Sequence, residues 1–468
     1  MEITGDMKET LKKLSKVNVD FSEFVERNPE SLKSSSFRNL ICSFDSNQMQ
    51  AWPTFINLQT KALFLEMGVK VCDLIKSIPA RLFDNDPKQI AAYFEQPETI
   101  VNLQLEGITD EHLANMVGRV DFTFSPSGLK CLELNISAST IGWRLPDWES
   151  RYLNTPIIDK FLKEYHVKIN NEYYLGLFLD HIIRFAERLA APPVNGSNAG
   201  NPELNVAMAM EGYIEDQQNK NPLLEALKQL YKEKLSRKAL TGHLFVCDFP
   251  HLECIDNIVY FKGNRIHGLV ELFHGFVTPG VMNAYTSGNI RLLNGPMTAI
   301  LSNKLNLALL SEREESTVFT SEEKETIKKY IPWTRKIIPG ETVYRGEKIR
   351  MESFLIANKD KLVIKPSLGM GGQSVYIGQD IFNKQWEYLV NTALRKKNFL
   401  VQELVETPRG LYQLGEDGCA YHDIVWAVWI LGSQYGGSMV RAIPAGNTRK
   451  VVNAAQGAEI CAVFEVDE

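Results

Sequence analysis

The stretch from Arg119 to Asn135, RVDFTFSPSGLKCLELN, limits the fold more tightly than any other part of this chain. Two runs rich in β-branched and aromatic residues, VDFTF and LKCLELN, flank SPSG, a turn signal, so the segment is expected to close as a β-hairpin. Side chains alternate faces along a strand, which puts Glu133 and Asn135 on one face. Folding back near Ser127 brings Asp121 roughly opposite that pair. Three hard oxygen donors on one sheet surface, with Arg119 beside them, suit Mg²⁺ bridging nucleotide phosphates. Acidic residues on a solvated strand face are also common, and for the hairpin alone that plainer reading stands.

At 468 residues the chain exceeds one typical domain, so two or three structural units are expected. Its 44% hydrophobic and 23% charged residues are ordinary for a globular protein. A formal net charge of −6 argues against nucleic acid or an anionic membrane as the main partner. No apolar stretch approaches the roughly 20 residues of a bilayer span. The polar start MEITGDMKETLKKLSK lacks the apolar core of a signal peptide, so a cytoplasmic protein is expected. The seven cysteines are scattered without a CxxC pair, as in reducing compartments. His243, Cys247, His251 and Cys254 form one cluster of zinc-binding side-chain types. Residues 243 and 247 would lie along one strand rather than converge, so a buried strand followed by a turn is preferred.

Residues 1–118 read as mainly helical, with QTKALFLEMGVKVCDLIKSI carrying apolar residues at helical spacing. Asp84, Asn85 and Asp86 before Pro87 mark a helix start. After the hairpin, Trp143, Arg144 and Trp148 are candidates to line a substrate mouth, against the simpler reading of packed tryptophans. Residues 160–192 read as one long helical region, and the Pro/Gly/Asn-rich stretch 191–203 as a linker. NVAMAM, a charged helix over 222–239, HLFVCDF and NIVYFKGNRIHGLVELF then alternate as a small α/β unit with parallel pairing. The charge-rich 311–330 reads as a solvated helix pair. The expected division is 1–118 helical, 119–150 the metal hairpin, 151–294 a substrate-side α/β domain, and 295–468 a nucleotide-binding α+β domain.

The segment KDKLVIKPSLGMGGQSVYIG is the second strong signal. Its first strand delivers Lys365, and Pro366 should end regular pairing. Ser367, Gly369, Gly371, Gly372, Gln373 and Ser374 then form a glycine-rich loop before a second strand. Such a flap can close backbone N–H groups over phosphates. It matches neither the P-loop nor the Rossmann fingerprint, since no helix follows it. A glycine-rich hairpin with no ligand is the alternative. NFLVQELVE emerges into Gln402, Glu403, Leu404 and Val405, a candidate hinge for adenine with Glu403 or Glu406 for a ribose. Lys304 stands at the head of an amphipathic helix, with Asn303 as its cap. Towards the C-terminus a long strand is followed by Arg441, Arg449 and Asn453, and guanidinium groups match phosphate geometry. Taken singly, each of these is an ordinary surface charge.

Together these residues resemble the ATP-grasp superfamily, in particular its circularly permuted branch typified by glutathionylspermidine synthase. In the usual order a segment of the form RxxxN-small-small-x-G precedes a strand bearing ExN. Here TRKVVNAAQGAE lies near the C-terminus while LELN lies near residue 135. The pattern RxD, about a dozen residues, then ExN is met by Arg119, Asp121, Glu133 and Asn135. The lysine pair resembles Lys304 and Lys365, with GMGGQS as the flap. The resemblance covers roughly 119–140 and 295–468. Ala458 stands where relatives often carry a second glycine, and the residues after Asn135 lack the acid and proline expected. The amidase domain fused to the bacterial enzyme is missing, so glutathione and spermidine do not carry over as substrates.

The resemblance implies an α+β, circularly permuted ATP-grasp fold with an α/β pre-ATP-grasp-like unit and a helical N-terminal region. It implies ATP and Mg²⁺ as cofactors, the metal held by Asp121, Glu133 and Asn135. Lys304, Lys365, Pro366, Ser367, Gly369, Gly371, Gly372, Gln373, Ser374, Gln402 to Val405 and Asn453 would bind the nucleotide, with Arg119, Lys365, Arg441 and Arg449 acting in catalysis. The activity implied is an ATP-dependent carboxylate–amine ligase working through an acyl phosphate. Its partners would be small-molecule or peptide acids and amines, with no nucleic acid or membrane, and with a homodimer left open. A kinase on the same scaffold, a ligase loading a carrier or peptide, and a non-catalytic nucleotide-binding protein are the rivals.

Overall fold

The computed structural model describes residues 12–28, 49–140, 142, 144–172, 174–190, 201–213, 221–273, 275–369, 372, 374–407, 409–414, 418–446 and 451–467. Trp143, Gly371, Gln373, Arg449 and most of the expected 191–203 linker lie outside them.

The largest sheet draws on both ends of the chain. Its strands run in the order Thr54–Asn57, Glu459–Val466, Gln434–Pro444, Gly418–Leu431, Val117–Ser125 and Gly128–Asn135, with Arg409–Leu414 also paired to Gly418–Leu431. The first pair is parallel and the others are antiparallel. Thr54–Asn57 is a strand inside the region expected to be mainly helical. Four residues are too few to show a period, and burial against the C-terminal strand decides their conformation.

Helix Leu58–Phe83 lies across this sheet. The Asn57 side chain accepts from Thr60 N at 2.8 Å and starts the helix, and Asp84 ends it in the left-handed region at φ 51°. A Cβ on Gly68 would lie 2.5 Å from Ile430 Cδ1, so only glycine lets the helix come this close to the strand. Phe64 packs edge-on against Phe122 and against Trp426, with ring centroids 4.8 and 5.1 Å apart. These three rings join the N-terminal helix, the hairpin and the C-terminal strand in one core.

A second, wholly parallel sheet has the order Arg291–Leu293, Gly268–Leu272, Val206–Met210, Leu244–Asp248. Helices Tyr174–Ala186 and Pro222–Arg237 cover one face and Pro279–Thr286 the other. Covering on both faces explains the continuous apolar run NVAMAM. The long helix expected over 160–192 is broken. Pro156–Glu164 and Tyr174–Ala186 are separated by a segment in which Ile169 bridges Val466. Cys247 is buried in this sheet while Cys254 is exposed, and no group of three or more His, Cys, Asp or Glu that could hold a metal occurs among the described residues.

The third sheet is antiparallel, in the order Thr334–Lys336, Phe399–Glu403, Leu362–Pro366, Tyr376–Ile377, and is backed by helices Met351–Ala357 and Asn383–Lys396. Pro366, paired with Phe399, is the last residue of its strand, so regular pairing ends there as expected. The helix pair expected over 311–330 is a single helix, Ser321–Tyr330, closed by a capping box between Thr320 and Glu323. The preceding helix, Leu305–Glu312, is buried. Among the described residues no helix is long and apolar enough to cross a membrane.

Truncating Phe122 removes the middle of the ring cluster. Phe122→Ala should destabilise the protein by about 3–5 kcal/mol, whereas Phe382→Ala, at a side chain 81% exposed, should leave the urea midpoint unchanged. Equal effects in urea melts would show that the cluster is not the core of the sheet.

Candidate functional site

A cleft of about 780 Å³ opens between the hairpin face of the large sheet and the third sheet. Asp121 and Glu133 enter it from the hairpin, Arg441 from Gln434–Pro444, Lys365 and Gln402 from the third sheet, and Asn453 from the C-terminal segment. Register explains the convergence. Asp121 pairs with Glu133, Arg119 with Asn135, and Asp121 with Ala427 on the other side. Arg441 pairs with Val425, so it sits within a strand and not beyond the end of one. The expected long strand is a hairpin that turns at Gly432, φ 65°.

Charge pairing orders the floor. Arg119 Nε and Nη2 donate to the two Asp121 oxygens at 2.8 and 2.9 Å, and Arg441 Nη2 meets Asp121 Oδ2 at 2.9 Å. Burial alone would raise the Asp121 carboxyl, but the guanidinium groups of Arg119 and then Arg441 outweigh it and hold it below the ordinary carboxylate range. Arg441 Nε is buried with no partner among the described residues. Glu133 pairs with Lys304 at 3.2 Å. Asn135, turned so that both neighbours are satisfied, donates to Glu133 Oε1 and accepts from Arg119 Nη2, each at 3.3 Å. Lys365 donates to Leu132 O at 3.0 Å and to Gln402 Oε1 at 2.7 Å. Burial pulls its ammonium down to about 8, Glu133 opposes that, and Lys304 adds to it. Arg119, Arg441, Lys304 and Lys365 surround Asp121 and Glu133 at the floor, while Glu403, Glu406, Asp423 and Arg409 line the rest of the cleft. At the floor itself four cations meet two carboxylates, a local excess of positive charge that favours an anion there.

The glycine-rich loop is tied at its base. Lys304 N donates to Ser367 O at 2.9 Å and Lys304 Nζ to Gly369 O at 2.7 Å. Asn303 Oδ1 accepts from Leu305 N at 2.9 Å, so it serves the helix start as expected. At the tip, Gly372 has φ 67°, and a Cβ there would lie 2.8 Å from Val451 Cγ1 and 3.1 Å from Asn453 Cβ. The loop therefore rests on the segment that carries Asn453. Ser374 also adopts a positive φ, 60°. Asn453 Oδ1 caps the following turn through Ala455 N at 3.0 Å.

At the hinge, the N–H groups of Glu403 and Leu404 are already bound, to Trp333 O and Lys361 O, each at 2.8 Å. The Glu403 carboxylate accepts from Tyr344 at 3.0 Å and from Arg345 at 2.6 Å. Leu404 and Val405, with Val363 and Ile377, leave an apolar slot at this end of the cleft. Glu406 is exposed at its rim. Gln402, expected in the hinge, is buried and directed at Lys365. Trp148 is packed in the core of helix Leu145–Leu153, so it does not line a mouth. Sequence reasoning missed Tyr421, Asp423 and Arg409, which also line the cleft. The Arg409–Asp423 pair at 3.3 Å spans two paired strands, and only the register reveals it.

Asp121→Asn leaves two buried guanidinium groups short of charge and should destabilise by about 3–5 kcal/mol at pH 7. Because the folded-state value of Asp121 is depressed, its stabilisation is present at neutral pH and is lost as the pH falls through that value. The difference between wild type and variant in urea melts should hold from pH 7 to 5 and shrink only below the ordinary carboxylate range. A pH-independent difference would show that the charge of Asp121 is not what counts.

The fold is similar to that of a glutathione synthetase-like effector from Globodera pallida, solved in its apo form, with a TM-score of 0.56 at 10% identity over 97% of this chain and 99% of that one. A putative gamma-glutamylcysteine synthetase from Methylobacillus flagellatus KT superposes with a TM-score of 0.39 at 11% identity, covering 85% of this chain and 88% of that one, too low to argue from. The sequence matches no family model and no curated protein. The likeness therefore speaks for the fold alone: a mixed architecture of sheets and helices shared, over nearly its whole length, with a glutathione synthetase-like protein.

Proposed function

We propose that this protein is an ATP-dependent ligase that joins a carboxylate to an amine through an acyl phosphate. One observation carries the reading. Lys365, on the strand before the glycine-rich loop, reaches Leu132 O at 3.0 Å, beside Glu133 of the acidic hairpin and 233 residues away in sequence. Phosphate-handling and metal-binding residue types from remote segments face one cleft, as in an ATP-grasp enzyme whose segment order has been circularly permuted.

The residues fit Mg·ATP. The cations gathered at the floor suit phosphate groups, and the unpartnered Arg441 Nε is a donor in want of an acceptor. Asp121 Oδ2 accepts from both arginines, whereas Oδ1 accepts from Arg119 Nε alone and keeps a further lone pair. Asp121, Glu133 and Asn135 would hold Mg²⁺, whose chemistry is to neutralise and orient the terminal phosphates. Adenine would occupy the slot between Leu404 and Val363. The substrate carboxylate would attack the γ-phosphorus, while Lys304, Lys365 and Arg441 offset the developing charge. The amine then displaces phosphate from the acyl carbon. Closure of the loop around Gly372 would keep water from the intermediate. The substrates are small-molecule or peptide acids and amines.

Isotope transfer tests the mechanism. With ¹⁸O in the acid, label should appear in released phosphate, with ADP as the nucleotide product, and hydroxylamine should trap a hydroxamate. AMP with pyrophosphate would overturn the reading, as would a stable phosphorylated product with no amide. Glu133→Gln should abolish turnover at any Mg²⁺ concentration while the thermal midpoint stays close to wild type.

A pH effect follows from Lys365, whose ammonium titrates near 8. It is charged below that value and neutral above it, so ATP affinity should weaken as the pH rises through about 8. In Lys365→Ala the limb should vanish and kcat should fall by about 10²–10³. An unchanged limb in that variant, followed by calorimetry, would assign the titration to another group.

A further inference from the structure

Lys365 is held by a chain of hydrogen bonds whose direction can be deduced. The Thr334 hydroxyl has one proton, and it goes to Pro332 O at 2.8 Å. Towards Gln402, 3.2 Å away, Thr334 can therefore only accept. That turns the Gln402 NH₂ towards Thr334 and leaves Oε1 for Lys365 at 2.7 Å. Thr334 is fully buried and Gln402 is 2% exposed, so neither side chain can exchange its partner for bulk water. Their strands fix the spacing, because Gln402 pairs with Thr334 on one side and with Val363 on the other.

The chemical type of the acceptor matters as much as its position. A carboxylate at residue 402 would hold the ammonium equally well but would cancel its charge. An amide oxygen holds it and leaves the charge available to an anion in the cleft. Leu132 O, the other acceptor of Lys365, is neutral too. Of the charged groups that act on Lys365, Glu133 and Asp121 stand on the hairpin side of the cleft and Lys304 at the base of the glycine-rich loop.

We propose that Gln402 is a positioning residue that acts through Lys365: a neutral acceptor, oriented by Thr334, that aims the ammonium at the phosphates without neutralising it. This differs from the hinge role expected for residue 402, and it rests on the ATP reading given above.

The test uses the full-length protein. ATP affinity is measured for Gln402→Met, which is similar in size but a poor acceptor, and for Gln402→Glu, in wild-type and Lys365→Ala backgrounds. Each change should weaken ATP binding by about tenfold to a hundredfold in the wild type, and for the neutral Gln402→Met the loss should shrink to less than about twofold once Lys365 is gone. Loss of the same size in both backgrounds would overturn the proposal, since a merely structural glutamine acts with or without the lysine. A second arm needs no nucleotide. Trace acylation of Lys365 at fixed pH, followed by peptide mass spectrometry, should be faster in Gln402→Met and slower in Gln402→Glu. Changes of the same sign in both variants, or none, would overturn it. If wild-type protein binds no ATP, the ligase reading fails, and the acylation arm still decides the role of Gln402.

Discussion

The antiparallel pairing of Val117–Ser125 with Gly418–Leu431 is the contact on which the rest depends. It sets Asp121 beside Ala427, one strand away from Arg441, and so builds the charged floor from segments some three hundred residues apart. The ring cluster of Phe64, Phe122 and Trp426 lies in the core behind the same strands. Stability and site geometry thus share a single register. A slip of one residue would send every side chain of the hairpin to the opposite face. Asp121 would enter the apolar core, and Phe122 would enter the cleft.

Electrostatics opposes this arrangement. Four cations gathered around two carboxylates repel one another, and burial alone disfavours each charge. The structure offsets part of this by pairing, with Asp121 shared between two guanidinium groups and Glu133 held by Lys304. What remains is a floor with more cations than carboxylates. That is the preorganised charge expected where negative charge must be accommodated, and it comes at the expense of the stability of the free protein.

Much of this site was legible before any coordinates. The hairpin followed from period-2 alternation around SPSG and brought Asp121 roughly opposite Glu133 and Asn135, but the register shift next to Asp121 that pairs it with Glu133 could not be read. The strand–glycine loop–strand pattern located Lys365. Other features could not be read because they are set by tertiary contacts. The strand Thr54–Asn57 is defined by its partner, not by its own pattern. Arg441 looked like a residue at a strand end because the turn at Gly432 was hidden in a continuous apolar run. The direction of Gln402 depends on the hydroxyl of Thr334, which no spacing in the sequence connects to it. The break between Pro156–Glu164 and Tyr174–Ala186 likewise reflects a bridge to the C-terminal strand.

Lys304 has a double attachment whose consequence is mechanical. Its backbone N–H holds Ser367 O, its ammonium holds Gly369 O, and the same ammonium faces Glu133. The backbone bond is indifferent to what fills the cleft, but the ammonium is not. The ammonium has three protons, so with Gly369 and Glu133 engaged a third is left for a further acceptor while the base of the loop stays tied. One residue thus anchors the base of the loop and faces the acidic hairpin, so a substitution at position 304 reaches both at once.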